Sequence, residues 1–374
     1  MKFKAATAIS QIESPLDWSP EKDSLMAEAC REMAIFHYEN CKDVRLLYEK
    51  YRFDPKSISK IEDIDRIPPI GVSAMKYYLL TSMPESTAVL KLTSSGTRGQ
   101  KTHIWFDQGS LDRVQKMLDV YFDQEGMSST QLTNYLIFNY DPDQAGDLGI
   151  AYTEKNQLRF APVAEEFYAV KKDESGQWRF LKDQAFAVLE KYSKDDKPVR
   201  ILGMPAFLYE FVEYCRHKGR RFLVPEGSLM ITGGGWKAAE DKKVSRADFR
   251  RSCSEVFGIP ESWIRDAYGM AEHSAPYFEC RHHRFHIAAF NRLLARDPVT
   301  MARVPDDQMG LLELVTPFNA IMPTLAILST DWVVINSKPC SCGWKSPTFE
   351  LLGRAGISKH KGCAIHADDI VKRG

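Results

Sequence analysis

The sequence carries no excess of charge of either sign: 50 Lys and Arg residues stand against 50 Asp and Glu. That balance excludes the strong basic field with which nucleic-acid and acidic-membrane binders draw in their partners. Long apolar runs are missing too. The first residues, "MKFKAATAISQIESP", have no apolar stretch of signal-peptide length,. No segment reaches the roughly 20 apolar residues that a membrane-spanning helix needs. A cytoplasmic protein is therefore the expectation. Neither an internal repeat nor a low-complexity tract occurs, and composition is that of an ordinary globular chain,. Cysteine is scarce, eight in 374 residues. Cys30, Cys41, Cys215 and Cys253 are scattered through helix-like text and read as small buried hydrophobes,. The other four fall in the last quarter of the chain, where metal or thiol chemistry is to be sought,.

What is present begins with helices. "SPEKDSLMAEACREMAIFHYENC" opens on a Ser-Pro-Glu start signal, and two prolines in "IPPIG" break the pattern,. "AVLKL" and "HIWF" read as short strands, followed by an amphipathic helix that stops at Gly126,. "NYLIFNY", "VRILG" and "GSLMITGGGW" read as buried strands, "MPAFLYEFVEYCRHKG" and "KAAEDKKVSRADFRRSCSEVFG" as helices,. Strands alternating with helices imply an α/β architecture with parallel pairing. After Cys280 the text turns to shorter β-rich segments such as "GLLELVTPF" and "DWVVIN".

Between "AVLKL" and "HIWF" lies "TSSGTRGQKT". A glycine loop between a strand and a helix can turn backbone N–H groups and hydroxyls toward phosphate oxygens, because glycine permits the positive φ angles that such nests need. The spacing excludes two familiar cradles. Only Thr97 and Arg98 separate Gly96 from Gly99, so it is no P-loop, and the dinucleotide pattern GxGxxG is absent,. Read alone, the loop is equally well a polar turn. Three later segments bear on it. "DAYGMAEHS" sets an aromatic ring, a glycine and Glu272 close together; "LAILSTDW" sets Asp331 just after a strand; "LLGRAGISKHKGC" joins a Gly-Arg turn to cationic side chains and a cysteine.

In this order the four segments resemble the core motifs of adenylate-forming enzymes, the superfamily of acyl-CoA synthetases and luciferases. The nearer similarity is to LuxE-type acyl-protein synthetases of bacterial bioluminescence, with phenylacetate-CoA ligase-like enzymes as relatives. It extends from about Ile67 to Cys363 and includes "SSGTRGQKT", "ITGGGWK", "YGMAEHSAPYFEC", "STDW", "CSCG" and "GRAGISKHKGC". The resemblance implies a large adenylation domain over 1–352, built of two α/β sheet subdomains and a smaller β-rich one. Its parts would be a helical start (1–65), an α/β core (66–275) and a β-rich part (276–352). The C-terminal domain with a catalytic lysine that relatives carry is expected to be essentially absent, with a short tail, 353–374, bearing a candidate acyl-acceptor cysteine in its place.

The resemblance also implies residue roles. Ser94, Ser95, Gly96, Thr97 and Gly99 would hold the ATP phosphates. Gly233, Gly234 and Gly235 would lie against adenine, with Trp236 as a cap and Tyr268 and Gly269 as another wall. Glu272 would hold Mg²⁺, Asp331 the ribose hydroxyls, and Arg354 the ribose or phosphate side. The physics is coherent: a carboxylate accepts from two ribose O–H groups, a metal neutralises the leaving pyrophosphate, and glycines admit a flat base. Each residue also has a plain structural reading, Tyr268 and Trp236 as core aromatics and Asp331 as a turn cap. Two departures stand out. Ala271 replaces the threonine usual before the metal-binding glutamate, and Gly356 stands where many relatives have a hinge aspartate.

In the cysteine-rich end, Cys280 and His286 stand six apart and Cys340 and Cys342 form a C-x-C pair, a set that suits a tetrahedral Cys₃His zinc site,. His282 and His283 are rival ligands, and three reduced thiols beside a surface histidine are the alternative. Phenylacetate-CoA ligase-like relatives show a similar arrangement. Cys363 lies among Lys359, His360, Lys361 and His366, and cationic neighbours favour the thiolate. In LuxE-type enzymes a cysteine near the C-terminus accepts the acyl group from acyl-AMP, and Cys363 stands at the matching place. Lys101, Lys359 or Lys361 would supply a cation to the transition state.

The reading implied is ATP-dependent activation of a carboxylic acid, of the fatty-acid class, to acyl-AMP, then transfer to Cys363 as a thioester. A reductase is the acyl acceptor in the bioluminescence family; neither nucleic acid nor membrane is expected as a partner. "YLIFNY" and "MPAFLYEF" are expected to supply apolar pocket walls. Two alternatives remain open: a phenylacetate-type aryl- or acyl-CoA ligase, and a nucleotide-binding member of an assembly without turnover.

Overall fold

Ser19 and Pro20 start the long helix that the N-terminal text implies. The Ser19 hydroxyl accepts from the Lys22 N–H, Pro20 takes the first helical position where no N–H is needed, and Glu21 and Asp23 face the positive end of the helix dipole,. A computed structural model describes residues 3–93, 102–146, 155–236 and 244–355. These residues divide into two units, 3–93, 102–127 and 269–355 in the first and 128–146, 155–236 and 244–268 in the second. Among them, no helix is long and apolar enough to cross a membrane.

The first unit begins with helices α1 (Lys4–Ile9), α2 (Pro20–Asn40) and α3 (Lys42–Lys50). Met26, Cys30, Met33 and Ala34 of α2 are buried, so Cys30 is the small hydrophobe its context implies. The short strand β1 (Ile70–Gly71) follows, then the antiparallel pair β2 (Leu90–Thr93) and β3 (His103–Phe106), the two strands expected around the glycine loop. Helix α4 (Gln108–Gln124) buries Met117, Tyr121 and Phe122 and ends before Gly126, whose φ of 67° only glycine adopts readily,.

The chain then builds the second unit: β4 (Thr133–Tyr140), β5 (Val163–Lys172), β6 (Trp178–Phe180), α5 (Lys182–Tyr192), β7 (Val199–Gly203), α6 (Pro205–His217), β8 (Leu229–Gly233), α7 (Arg246–Phe257) and β9 (Ile264–Met270). In space the strands run β9-β8-β7-β4-β5-β6. All neighbours are parallel except β5 and β6. Every residue of β4 is buried, as a strand covered on both faces requires,. Helix α7 starts at Arg246, where the Ser245 hydroxyl caps it by accepting from the Asp248 N–H, and residues 237–243 of the expected helical stretch lie outside the described residues,. Gly203, at the end of β7, has φ of 146°, and a Cβ there would stand 2.4 Å from the Phe138 carbonyl oxygen of β4. Two strands approach this closely only because position 203 has no side chain.

The returning chain adds β10 (His273–Phe278), β11 (Phe285–His286), β12 (Arg292–Arg296), β13 (Met309–Val315), β14 (Ala326–Asn336) and β15 (Thr348–Arg354) to the first unit. Strands β11-β15-β14-β13-β12 form an antiparallel sheet, with β1 beside β14 in parallel. Glu313 of β13 is fully buried and accepts from Arg296 Nε of β12 at 2.6 Å. Burial pushes its carboxyl up to about 7 against the pull of Arg296,. The "STDW" stretch differs from the expectation in one respect: Asp331 lies inside β14, not after it, because the ladder to β15 continues to Asn336 across a bulge at Trp332/Val333,.

Candidate functional site

Antiparallel pairing brings together two of the residues singled out for the nucleotide. Asp331 of β14 is directly opposite Arg354 of β15, and Arg354 Nε lies 3.6 Å from Asp331 Oδ1. Directly opposed residues project from the same face of a sheet. Asp331 is also tied locally, its N–H donating to Ser329 Oγ at 3.0 Å. The result is a carboxylate with a guanidinium beside it, two groups suited to hydroxyls and phosphate oxygens. Glu272 stands in the first unit between β9 and β10 and is 5 % exposed.

Glycines close β8 in the second unit. Gly233 pairs with Ala267 of β9, so the turn lies one position from Tyr268 across a parallel ladder. Gly234 and Gly235 follow with φ of 84° and 70°, two consecutive left-handed residues that a side chain would strain,. The carboxyl ends of parallel strands are where open α/β sheets bind ligands. Beside this turn, Asp266 Oδ1 accepts from Thr232 Oγ1 and from the Ala267 N–H, both at 3.0 Å, and Arg246 Nε approaches Oδ2 at 3.7 Å. Nothing in the sequence pattern distinguishes Asp266 from its neighbours; only the distances do.

Trp236 has another place. It is buried against Tyr209 and Phe249, with ring centroids 5.3 and 5.6 Å away, as a core aromatic of the second unit. Aromatics of "YLIFNY" and "MPAFLYEF" pack in the same core: Phe138 on Phe180 and Phe211, and Tyr140 on Trp178 and Phe207. Ser94, Ser95, Gly96, Thr97, Gly99, Lys101 and Cys363 lie outside the described residues.

The cysteine-rich end forms a second constellation. One donor atom from each of Cys280, His286, Cys340 and Cys342 lies within 4.8 Å of all the others. Cys280 Sγ and Cys340 Sγ are 3.8 Å apart, and Cys342 Sγ is 3.2 Å from His286 Nε2. A tetrahedron with zinc–sulfur bonds of about 2.3 Å has edges of about 3.8 Å, so the thiol spacing fits such a metal. Local backbone supports the thiols as ligands. The His282 N–H points at Cys280 Sγ from 3.4 Å, and His283 and Gly343 take φ of 58° and 100° to turn the two loops. Burial pushes the Cys280 thiol up to about 12 and the His286 imidazole down to about 4,. Without a cation, the cluster would be neutral thiols packed on a neutral ring; a divalent ion would favour the thiolates. The rivals stand apart. His282 Nδ1 faces Ser341 Oγ at 3.0 Å, and His283 Nδ1 lies 3.6 Å from Glu279 Oε2.

Two buried partners escaped sequence reasoning. Ser346 Oγ lies 2.7 Å from His286 Nδ1, and His273 Nε2 lies 2.9 Å from Tyr277 Oη. Burial holds the His273 imidazole down to about 3, so that ring is neutral at physiological pH,. A four-residue spacing on a strand puts His273 and Tyr277 on one face, a signal legible in "HSAPY" once the strand is known,.

Residues 7–371 match the model of the family described as "Acyl-protein synthetase, LuxE". The long-chain-fatty-acid–luciferin-component ligase of Aliivibrio fischeri is 25% identical over 364 residues, 97% of this chain and 93% of the relative. Its counterpart from Vibrio harveyi is 25% identical over 357 residues, 94% and 90% of the two chains. Among solved structures, 2-hydroxyisobutyryl-CoA ligase in the postadenylation state with 2-HIB-AMP superposes with a TM-score of 0.68. The identity is 13%, over 93% of this chain and 74% of that one. The fold is thus the α/β fold of adenylate-forming ligases.

Proposed function

This chain belongs to the LuxE acyl-protein synthetase family, and from that premise we propose that it activates a fatty acid with Mg·ATP and takes the acyl group onto Cys363. The acid carboxylate attacks the α-phosphorus, a new O–P bond forms, and pyrophosphate leaves. The Cys363 thiolate then attacks the acyl carbonyl and AMP departs, leaving a thioester: nucleophilic catalysis that splits one difficult transfer into two easier ones. An acceptor protein, a reductase by the resemblance, receives the acyl group next, in the cytoplasm.

The observation that carries the adenylation half is the opposition of Asp331 and Arg354, 3.6 Å apart on paired strands. In this reading Asp331 accepts from the ribose hydroxyls while Arg354 offsets phosphate charge. Ser94, Ser95, Gly96, Thr97 and Gly99 contact the phosphates, Lys101 supplies a cation, Glu272 holds Mg²⁺, and Gly233–Gly235 with Tyr268 and Gly269 receive the base. The fatty-acid class rests on the two relatives, both long-chain-fatty-acid–luciferin-component ligases. Lys359, His360 and Lys361 support Cys363 as a thiolate,.

Cys280, His286, Cys340 and Cys342 hold zinc in the same reading. Four protein ligands leave no open position, which makes the ion structural. It would tie β11 and the loop before it to the loop before β15.

The deciding experiment incubates the protein with ATP and a labelled fatty acid. Wild type becomes labelled and Cys363→Ala does not, while ATP–pyrophosphate exchange survives in the variant. Equal labelling of both rules out Cys363. AMP release by the variant only when coenzyme A is added makes the protein a CoA ligase instead. Absence of exchange with every acid in a panel leaves a nucleotide-binding protein without turnover.

A further inference from the structure

We infer that Ser346 sets the metal affinity of the Cys280–His286–Cys340–Cys342 cluster, by holding His286 in the tautomer that turns a bare Nε2 toward the thiols. This rests on the zinc reading given above and adds a positioning residue to it. A neutral imidazole carries one N–H and one lone pair, and which nitrogen has which is fixed by the hydrogen bond the other makes. In His286 the two nitrogens have different neighbours: Nδ1 lies 2.7 Å from Ser346 Oγ, and Nε2 lies 3.2 Å from Cys342 Sγ. With the proton on Nδ1, the ring donates to Ser346 and presents its lone pair to the cluster. With the proton on Nε2, an N–H would point into the space between the sulfurs, where a cation belongs.

Water cannot stand in for the serine. His286 and Ser346 are 0 % and 2 % exposed, so a ring N–H deprived of the hydroxyl would be buried without an acceptor. The hydroxyl is itself held in place from several sides. The Ser346 N–H donates to the Leu16 carbonyl at 3.0 Å, and the Leu16 N–H donates to Gln124 Oε1 of α4 at 2.8 Å. On the ring's side, the Ile287 N–H donates to the Pro347 carbonyl at 2.9 Å, and His286 pairs with Thr348 across β11 and β15. The backbone on both sides of the Ser346–His286 contact is therefore fixed, and the hydroxyl meets the ring without searching for it.

Removal of such a partner ordinarily weakens metal binding about 10–100-fold. The test uses the full chain, stripped of metal under reducing conditions and reloaded with Zn²⁺ against a chromophoric chelator. Ser346→Ala should bind Zn²⁺ about 10–100-fold more weakly than wild type, with Ser346→Thr within a few-fold of it. Loaded with Co²⁺, all three should show thiolate-to-cobalt charge-transfer bands, since the three sulfurs are untouched. An alanine variant within twofold of wild type overturns the inference. So does equal loss in both variants, which assigns the effect to packing. Should the variants fail to fold, ¹⁵N-histidine NMR of zinc-loaded wild type decides: His286 should carry its proton on Nδ1, and a proton on Nε2 overturns the inference. If wild type binds Zn²⁺ no more tightly than Cys280→Ser, the zinc reading fails, and this inference falls with it.

Discussion

Asp331→Asn separates a nucleotide ligand from a structural residue, because the structure assigns very different sizes to the two effects. The partner Arg354 is 57 % exposed in its side chain and stands 3.6 Å away. An ion pair that open contributes about 0–1 kcal/mol. Asparagine keeps the size of aspartate, and the local hydrogen bond from the Asp331 N–H to Ser329 Oγ does not involve the carboxylate. The stability cost should therefore stay below about 1 kcal/mol. Ribose is another matter. A carboxylate that accepts two O–H donors makes charge-assisted hydrogen bonds of about 1.5–3 kcal/mol each, and the amide keeps one neutral acceptor. Loss of about 1.5–3 kcal/mol corresponds to roughly a 10- to 150-fold rise in the KM for ATP, with the KM for the acid little changed. ATP–pyrophosphate exchange at saturating fatty acid gives the KM for ATP, and urea denaturation gives the stability cost. An unchanged KM for ATP together with a loss above about 2 kcal/mol in stability would refute the assignment and return Asp331 to a structural role.

Other outcomes follow from particular contacts. Protein purified without chelator should contain one zinc per chain, and stripping it should lower Tm by roughly 5–10 °C, a few kcal/mol of linkage spread over a large domain; substoichiometric zinc would sink the metal site. Glu313 gives a pH signature. Its folded carboxyl is raised from 4.5 to about 7 by burial, so its contribution is fully present below pH 4.5 and falls away as the pH climbs toward 7,. Glu313→Gln should flatten the urea midpoint across that window, and a slope equal to wild type would count against the shift. Gly203→Ala forces a Cβ to 2.4 Å from the Phe138 carbonyl oxygen at a φ of 146°, and should cost at least about 2–3 kcal/mol by thermal unfolding.

Much was legible before any coordinates, and the reason is local. The β4 text "TNYLIFNY" is apolar and aromatic throughout, and no amphipathic element fits such a run; it became a strand buried at every position,. Ser19-Pro20-Glu21 states a helix start in side-chain chemistry alone,. The candidate metal-ligand set was readable because thiols and imidazoles in that number have few other uses, and the four donor atoms lie within 4.8 Å of one another. Two readings stayed open where one residue type serves two ends. Trp236 suits an adenine cap or a core equally well by composition, and only the packing of Tyr209 and Phe249 around it decided for the core.

Sequence by itself determined the elements and the kind of chemistry, because helix caps, strand periodicity and ligand types act over a few residues. Tertiary structure alone decided which distant residues meet. Asp331 faces Arg354 because the ladder between β14 and β15 has that register. Ser346 faces His286 across a separation of 60 residues because Leu16 and the β11–β15 pairing hold their backbones there. Register and long-range contact depend on the summed burial of whole faces, and no short stretch of sequence contains that sum.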